Sequence, residues 1–179
     1  MKTVMAGVLL AGLLAGCQQE QAAMDAPTPA GAAAVSPLPA VGDSGLHAAN
    51  QPGLELATVD GGQFNLIEHR GHWVLVNFWA SWCSPCLEEM PELSQLDQAE
   101  PELDVVGLAY EDSTPEQMLE FLQQHPVSYP IALLDINPPP ADFAVPRGLP
   151  GSYLLDPQGR VVKGFLGPVT AAMIKQAMQ

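Results

Sequence analysis

Two cysteines between a buried strand and a helix constrain the fold of this chain more than any other feature. Residues 73–78 form a short, nearly continuous apolar run, which is typical of a strand covered on both faces. Cys83 and Cys86 follow, and from Ser84 to about Ala99 apolar residues recur at helical spacing. This order predicts an α/β domain with a reactive dithiol where the strand meets the helix.

The position of the cysteines favours redox chemistry. A helix N-terminus carries unpaired N–H groups and about half a positive charge, and both stabilise a thiolate at Cys83. Pro85 suits the first helical turn, because its missing N–H would have no partner there. The two intervening residues let the sulfur atoms form a small, reducible disulfide. We expect Cys86 to be the more buried thiol of the two.

Other uses of a Cys-x-x-Cys pair fit the sequence less well. A zinc site needs further ligands, and the four histidines are scattered along the chain. Covalent attachment of c-type haem needs a histidine directly after the second cysteine, where Leu87 stands. A purely structural disulfide would stabilise the fold little, because the loop that it closes is short. We therefore expect neither a metal nor a cofactor.

Length and charge narrow the class of protein further. A chain of 179 residues allows one domain of ordinary size plus tails. Its 20 acidic and 6 basic side chains give a formal net charge of −14, which argues against a nucleic-acid partner. No lysine or arginine lies between Arg70 and Arg147, so an electrostatically guided partner should be neutral or basic.

The N-terminus has the pattern of an export signal. Lys2 precedes an apolar run over residues 4–14, which is too short for a membrane-spanning helix of about 20 residues. The run ends in Leu14-Ala15-Gly16-Cys17, which resembles the lipobox of bacterial lipoproteins. That resemblance implies cleavage before Cys17 and lipid on the new N-terminal cysteine. The alternative is an ordinary signal peptide followed by a chance cysteine.

These patterns divide the chain into three regions. Residues 1–16 form the signal peptide, and residues 17–52 form a disordered tether, whose Ala- and Pro-rich composition cannot bury enough apolar surface to fold. Residues 53–179 form the folded domain, which begins with a hairpin around Asp60-Gly61-Gly62. The predicted strands cover residues 54–59, 63–68, 104–110, 130–134, 152–156 and 160–165, and further helices begin at Thr114 and Thr170.

The residues around the cysteines carry a family resemblance. Residues 76–93, with the sequence Val-Asn-Phe-Trp-Ala-Ser-Trp-Cys-Ser-Pro-Cys-Leu-Glu-Glu-Met-Pro-Glu-Leu, resemble the signature of exported thioredoxin-like reductases of the TlpA family. Residues 148–161 are similar to a second block of that family. The resemblance implies a thioredoxin-like fold, in which helices flank a mixed central sheet. It also implies an N-terminal β-hairpin and a central helix–strand insert, for which residues 54–68 and 101–134 supply the segments.

The resemblance also implies roles for residues of the site. Cys83 resembles the attacking thiol and Cys86 the resolving thiol of a redox-active disulfide. Pro150 matches the cis-proline that faces this disulfide in the family. Substrate contacts are expected from Pro150, from Leu149 before it, and from Trp82 beside the disulfide.

Glu89 matches a family glutamate that has a role in acid–base control. Thioredoxins proper carry a buried aspartate six residues before the first cysteine, where this chain has Asn77. Glu89 lies one helical turn after Cys86 on the same helical face, so it is placed to exchange a proton with that thiol. The alternative is that Glu89 merely favours the positive end of the helix.

Together these features predict a membrane-tethered, extracytoplasmic thiol:disulfide oxidoreductase that works as a reductant. The family resemblance implies exported clients, such as the apocytochrome of cytochrome c maturation or copper-site proteins, and a membrane dithiol donor would recharge the enzyme. The protein is expected to be a monomer, anchored by lipid on Cys17 to the periplasmic side of a bacterial membrane. Two alternatives are a metal or haem chaperone that binds through the Cys-x-x-Cys pair and a peroxiredoxin-like thiol peroxidase. Peroxiredoxins usually carry threonine or serine where this chain has Ala80.

Overall fold

A computed structural model describes residues 39–134 and 140–179 of the chain. The predicted signal peptide, Cys17 and the tether up to residue 38 lie outside the described residues. Within these two ranges the chain forms nine strands and three α-helices, which are β1 (Ala40–Val41), β2 (Leu46–His47), β3 (Glu55–Ala57), β4 (Gln63–Asn65), β5 (Trp73–Trp79), α1 (Ser84–Ala99), β6 (Leu103–Ala109), α2 (Pro115–Gln124), β7 (Ile131–Leu133), β8 (Gly151–Leu155), β9 (Val161–Leu166) and α3 (Ala171–Ala177).

Five of these strands form the central sheet, in the order β7-β6-β5-β8-β9. Strands β5, β6 and β7 are parallel, and helices α1 and α2 connect them. Strands β8 and β9 form an antiparallel hairpin beside β5. The predicted mixed sheet with a helix–strand insert is therefore confirmed, and α2 with β7 is the insert.

Strand β5 lies at the centre of the sheet because its side chains suit burial on both faces. Successive side chains of a strand point to opposite faces. Leu75 and Trp79 pack into one core cluster, to which all three helices contribute. Val74 and Phe78 pack into a second cluster, which joins the segments that precede β5 to residues of β6, β7 and β8. The polar exception in the strand is Asn77, whose side chain bonds to helix α1.

The folded region begins earlier than the sequence predicts. Residues 39–52, assigned above to a disordered tether, include the antiparallel pair β1–β2, in which Ala40 is opposite His47. Val41 and Leu46 are buried in the second core cluster. The prediction is wrong for these residues, because their few apolar side chains dock on a sheet face that more distant residues form. Such docking leaves no local periodicity to detect.

Other segments of the chain cover both edges of the central sheet. At one edge, the Val59 N–H donates to the carbonyl oxygen of Ile131 in β7 at 2.9 Å, next to the predicted hairpin β3–β4. At the other edge, the Val161 N–H of β9 donates to the carbonyl oxygen of Asn50 at 3.0 Å, and β1 also packs against β9. None of the helices in the described ranges has the length and hydropathy needed to cross a bilayer.

Candidate active site

The loop between β5 and α1 places Cys83 at the N-cap of the helix, as predicted. The Cys83 carbonyl oxygen accepts the N–H groups of Cys86 at 3.0 Å and Leu87 at 3.1 Å, which begins the helical hydrogen bonding. The N–H of Cys83 donates to the carbonyl oxygen of Ala80 at 3.1 Å and closes the turn that leaves the strand. Pro85 occupies the first helical turn, in which a backbone N–H has no helical partner.

Cys83 and Cys86 form a disulfide with a sulfur–sulfur distance of 2.02 Å. Cys86 is 0% exposed and Cys83 is 5% exposed, so Cys83 is the more accessible residue of the pair. This confirms the expected order of burial. Trp82, directly before Cys83, is 69% exposed and leaves a large apolar surface beside the disulfide.

The peptide bond between Leu149 and Pro150 is cis, as predicted. The register between β5 and β8 pairs Phe78 with Gly151, so Pro150 lies at the end of the sheet from which the cysteine loop leaves. The Pro150 carbonyl oxygen accepts the N–H of Gly167 at 2.8 Å. Leu149 packs against the core cluster that contains both cysteines. The fold therefore brings these residues to the same end of the molecule as the disulfide.

Glu89 is buried, with 4% of its surface exposed, and both of its carboxylate oxygens have donors. The Asn77 amide donates to Oε1 at 2.9 Å and also to the Ser152 hydroxyl oxygen at 3.0 Å. The Val169 N–H donates to Oε2 at 2.8 Å. Glu89 is therefore an internal group of the site and not a solvated charge at the helix end.

Burial raises the pKa of Glu89 from 4.5 to about 7. The hydrogen bonds from Val169 and Asn77 oppose this rise by stabilising the charged carboxylate, whereas the negative charge of Glu92 adds to it. A carboxyl group with such a pKa can accept and return a proton near neutral pH. Because Glu89 follows Cys86 by one helical turn on the same face, proton exchange with that thiol is the chemistry that this arrangement favours.

Sequence reasoning missed the partners that hold the site from a distance. Val169 contributes a backbone N–H from the loop between β9 and α3, and no sequence signal identifies which N–H of a loop will be used. Glu92 of α1 accepts the N–H of Ala171, the first residue of α3, at 2.8 Å. Glu111, after β6, binds Ser81 just before the cysteines. Each of these contacts joins segments that only the tertiary fold brings together.

The described residues offer no cluster suited to a metal. Among residues 39–134 and 140–179, no group of three or more His, Cys, Asp and Glu side chains could hold a metal ion. His69 Nδ1 and His72 Nδ1 lie 2.8 and 3.2 Å from Asp104 Oδ2. These residues flank the start of β5, whereas the cysteines follow its end.

Comparisons with known proteins agree with this geometry. Residues 48–164 match the model of the AhpC/TSA family. The chain is 31% identical over 130 residues to the thioredoxin-like protein YneN of Bacillus subtilis, covering 71% of this chain and 75% of the relative. It is 29% identical over 129 residues to the thiol-disulfide oxidoreductase ResA of Bacillus cereus, covering 72% and 74% of the two chains.

A solved structure shows the same architecture. The thioredoxin-family thiol:disulfide interchange protein from Chlorobium tepidum superposes with a TM-score of 0.63 at 25% identity, covering 80% of this chain and 98% of the other. The shared fold, the buried Cys83–Cys86 disulfide and the relatives point to one reaction class. The chain belongs to the AhpC/TSA family and is a thiol-disulfide oxidoreductase of thioredoxin-like fold.

Proposed function

We propose that this oxidoreductase works outside the cytoplasm, tethered to a membrane, and reduces disulfides of exported proteins through Cys83 and Cys86. The observation that carries the proposal is the pairing of a more accessible Cys83 at the helix N-cap with a fully buried Cys86. A helix N-terminus favours the thiolate, which is the nucleophile in disulfide exchange. The buried Glu89, one turn after Cys86, adds a proton acceptor for the second step.

The proposed reaction transfers two electrons to the client. The Cys83 thiolate attacks one sulfur of a client disulfide, forms a mixed disulfide and releases the other client sulfur as a thiolate, which takes up a proton. Glu89 accepts the proton of Cys86, and the resulting thiolate attacks the Cys83 sulfur. The second client sulfur then leaves and is protonated, while the enzyme keeps the Cys83–Cys86 disulfide.

The direction and the clients of this exchange are also part of the proposal. Ser84 and Pro85 between the cysteines lack the histidine of strong oxidants, which favours a reductant. Exported compartments lack a reducing glutathione pool, so a membrane dithiol donor must regenerate the dithiol. By family resemblance the clients are apocytochrome c or copper-site proteins. The net charge of −14 favours neutral or basic client segments.

Iodoacetamide labelling of the reduced protein across pH tests the assignment of the two thiols. We expect Cys83 to react first, with an apparent pKa of about 3.5–7.5, as for thiols at the start of such helices. Mass spectrometry of the labelled peptides identifies the residue, and insulin reduction by the same sample tests the direction. Preferential labelling of Cys86 near neutral pH would contradict the assignment of Cys83 as the nucleophile. Rapid peroxide consumption without disulfide reduction would contradict the proposed reaction.

The proposed membrane tether depends on Cys17, which ends the lipobox-like sequence. We expect Cys17→Ala to abolish lipid attachment and to move the protein from the membrane fraction to the soluble fraction or to leave its precursor unprocessed. Insulin reduction by the purified variant should match wild type, because the tether contributes no group to the reaction. Detergent phase partition of the two proteins measures the change. Wild-type protein found wholly in the aqueous phase of an exported fraction would exclude the lipid anchor.

A further inference from the structure

The loop that carries the cysteines is held by a carboxylate from a neighbouring strand end. Ser81 donates to Glu111 twice, from its N–H to Oε1 at 3.2 Å and from its hydroxyl to Oε2 at 2.7 Å. Both residues are half-buried. Hydrogen bonds to a charged acceptor are shorter and about twice as strong as neutral ones, so this pair fixes the Ser81 backbone and side chain together.

Two further hydrogen bonds connect this contact to Cys83. The Tyr110 N–H donates to the Trp79 carbonyl oxygen at 2.8 Å, which joins the ends of β5 and β6 just before Ser81 and Glu111. The Cys83 N–H donates to the Ala80 carbonyl oxygen at 3.1 Å, which encloses Ser81 in the turn. The Glu111 carboxylate is therefore held at a fixed place beside the turn that ends at Cys83.

We propose that Glu111 is a positioning residue for the attacking thiol: it holds the turn that presents Cys83 and fixes a negative charge beside that turn. The inference rests on the proposed function, in which Cys83 is the nucleophile. Glu89 would then serve the resolving thiol and Glu111 the attacking thiol. The two acids come from different elements and act at different sulfur atoms.

The charge of Glu111 opposes the effect of the helix N-terminus. The helix favours a Cys83 thiolate, whereas a nearby carboxylate disfavours it by like-charge repulsion. Reduction of the disulfide adds two electrons and leaves one sulfur charged once the pH exceeds the pKa of Cys83. A group that disfavours the thiolate therefore shifts the equilibrium toward the disulfide, so the reduced protein gives up its electrons more readily.

Other titratable groups lie on the elements that pack around Cys83 in the described part of the chain, and the test must separate their effects from that of Glu111. The loop between β9 and α3 carries no titratable side chain. Arg147, in the segment before Pro150, lines a cavity with Gly45 and Leu46 instead. Other titratable groups on the packed elements are Glu88, Glu89, Glu92 and Asp97 on α1, Tyr110 and Asp112 beside Glu111, and the buried Tyr129 in the core cluster that contains both cysteines.

Labelling of Cys83 across pH in the reduced full-length protein tests the proposal. Glu111→Gln keeps an oxygen for Ser81 but removes the charge, so the midpoint of Cys83 labelling should fall by about half a pH unit. At neutral pH the equilibrium with glutathione should shift toward the dithiol by about threefold. Asp112→Asn is the matched control, because it removes an equal charge one residue further along the chain and removes no hydrogen bond to the site. The midpoint of Cys83 labelling in this variant should stay near that of wild type.

Ser81→Ala provides a second variant that tests the contact itself. It removes the 2.7 Å bond and leaves the carboxylate, so we expect a smaller fall of the midpoint. Adding Ser81→Ala to Glu111→Gln should produce no further fall, because the two side chains act as one unit. An unchanged midpoint in Glu111→Gln would overturn the proposal, as would an equal fall in Asp112→Asn. Labelling of Cys86 before Cys83 in wild type would instead overturn the proposed function on which the inference rests.

Discussion

Replacing Cys83 with serine should stop disulfide exchange, whereas replacing Cys86 with serine should leave a protein that captures its client. A serine hydroxyl at position 83 is not ionised near neutral pH, so Cys83→Ser should lower turnover by about 10³-fold or more. Cys86→Ser keeps the attacking thiol but cannot resolve the mixed disulfide. The captured client can be released with a reductant and identified by mass spectrometry.

The control for this pair of variants is Ser84→Ala, which changes a residue between the cysteines but retains both thiols. We expect Ser84→Ala to turn over insulin within about tenfold of wild type, because the residues between the cysteines tune the potential without supplying the sulfur. Covalent capture by Cys83→Ser instead of Cys86→Ser would reverse the roles assigned to the two thiols. If neither variant captures a protein, the proposal that the enzyme exchanges disulfides with protein clients is wrong.

Glu89→Gln should slow resolution of the mixed disulfide by about 10²-fold, the low end for a general base, because Cys86 can also lose its proton to water. The pKa of Glu89 is about 7, so wild type gains its proton acceptor as the pH rises through neutrality. The variant has no such group, so the difference between the two proteins should be small near pH 5 and largest between about pH 7 and 8.5. The difference should shrink at higher pH, where the Cys86 thiol ionises without a base. Stopped-flow reduction of a model disulfide from pH 5 to 9 measures this difference.

The side-chain amide that Glu89→Gln introduces can form hydrogen bonds with the residues around it. Rotation of the Asn77 side-chain amide would present its Oδ1, which has no partner in the described structure, to the new amide group. The Ser152 hydroxyl could then donate to the same oxygen. Glu88→Gln is the matched control, because Glu88 is exposed on the same helix and one residue away. Identical pH profiles for wild type and Glu89→Gln would reduce Glu89 to a structural acceptor for Asn77 and Val169.

Stability provides a second readout of the same group. A carboxyl group whose folded-state pKa is raised disfavours the folded state once it must ionise. The free energy of unfolding of the oxidised wild type should therefore fall, relative to Glu89→Gln, as the pH rises from 4.5 to about 7, and then level off. A shift from 4.5 to about 7 corresponds to a change on the order of 3 kcal/mol. Urea unfolding of both proteins at several pH values measures this change.

The parts of the fold that the sequence predicts best are those whose signals are local. One continuous segment contains Cys83, Pro85 and the periodic apolar residues of α1. The buried strand β5 and the turn between β3 and β4 are each likewise recognisable from a short segment of their own. The order of elements then follows from the alternation of strands and helices. The family resemblance adds the cis bond before Pro150, which composition and periodicity do not reveal.

The interactions that the sequence does not predict all join distant segments. Val41 and Leu46 fold because β8 and β9 offer them an apolar face, and Glu89 meets Val169 across 80 positions of the chain. Ser81 and Glu111 meet because two parallel strands end side by side. In each case the identity of the partner depends on how elements pack, and a pattern within one element contains no information about that packing.

The covered edges of the central sheet have a consequence for the proposed exchange with protein clients. An open edge strand is a template on which another extended chain can add, and such addition leads to aggregation. Here the Ile131 carbonyl already pairs with Val59 and the Val161 N–H with Asn50, so β7 and β9 offer these groups to no visiting strand. If a client presents an extended segment, we expect the enzyme to remain dispersed and not to become a seed for co-aggregation.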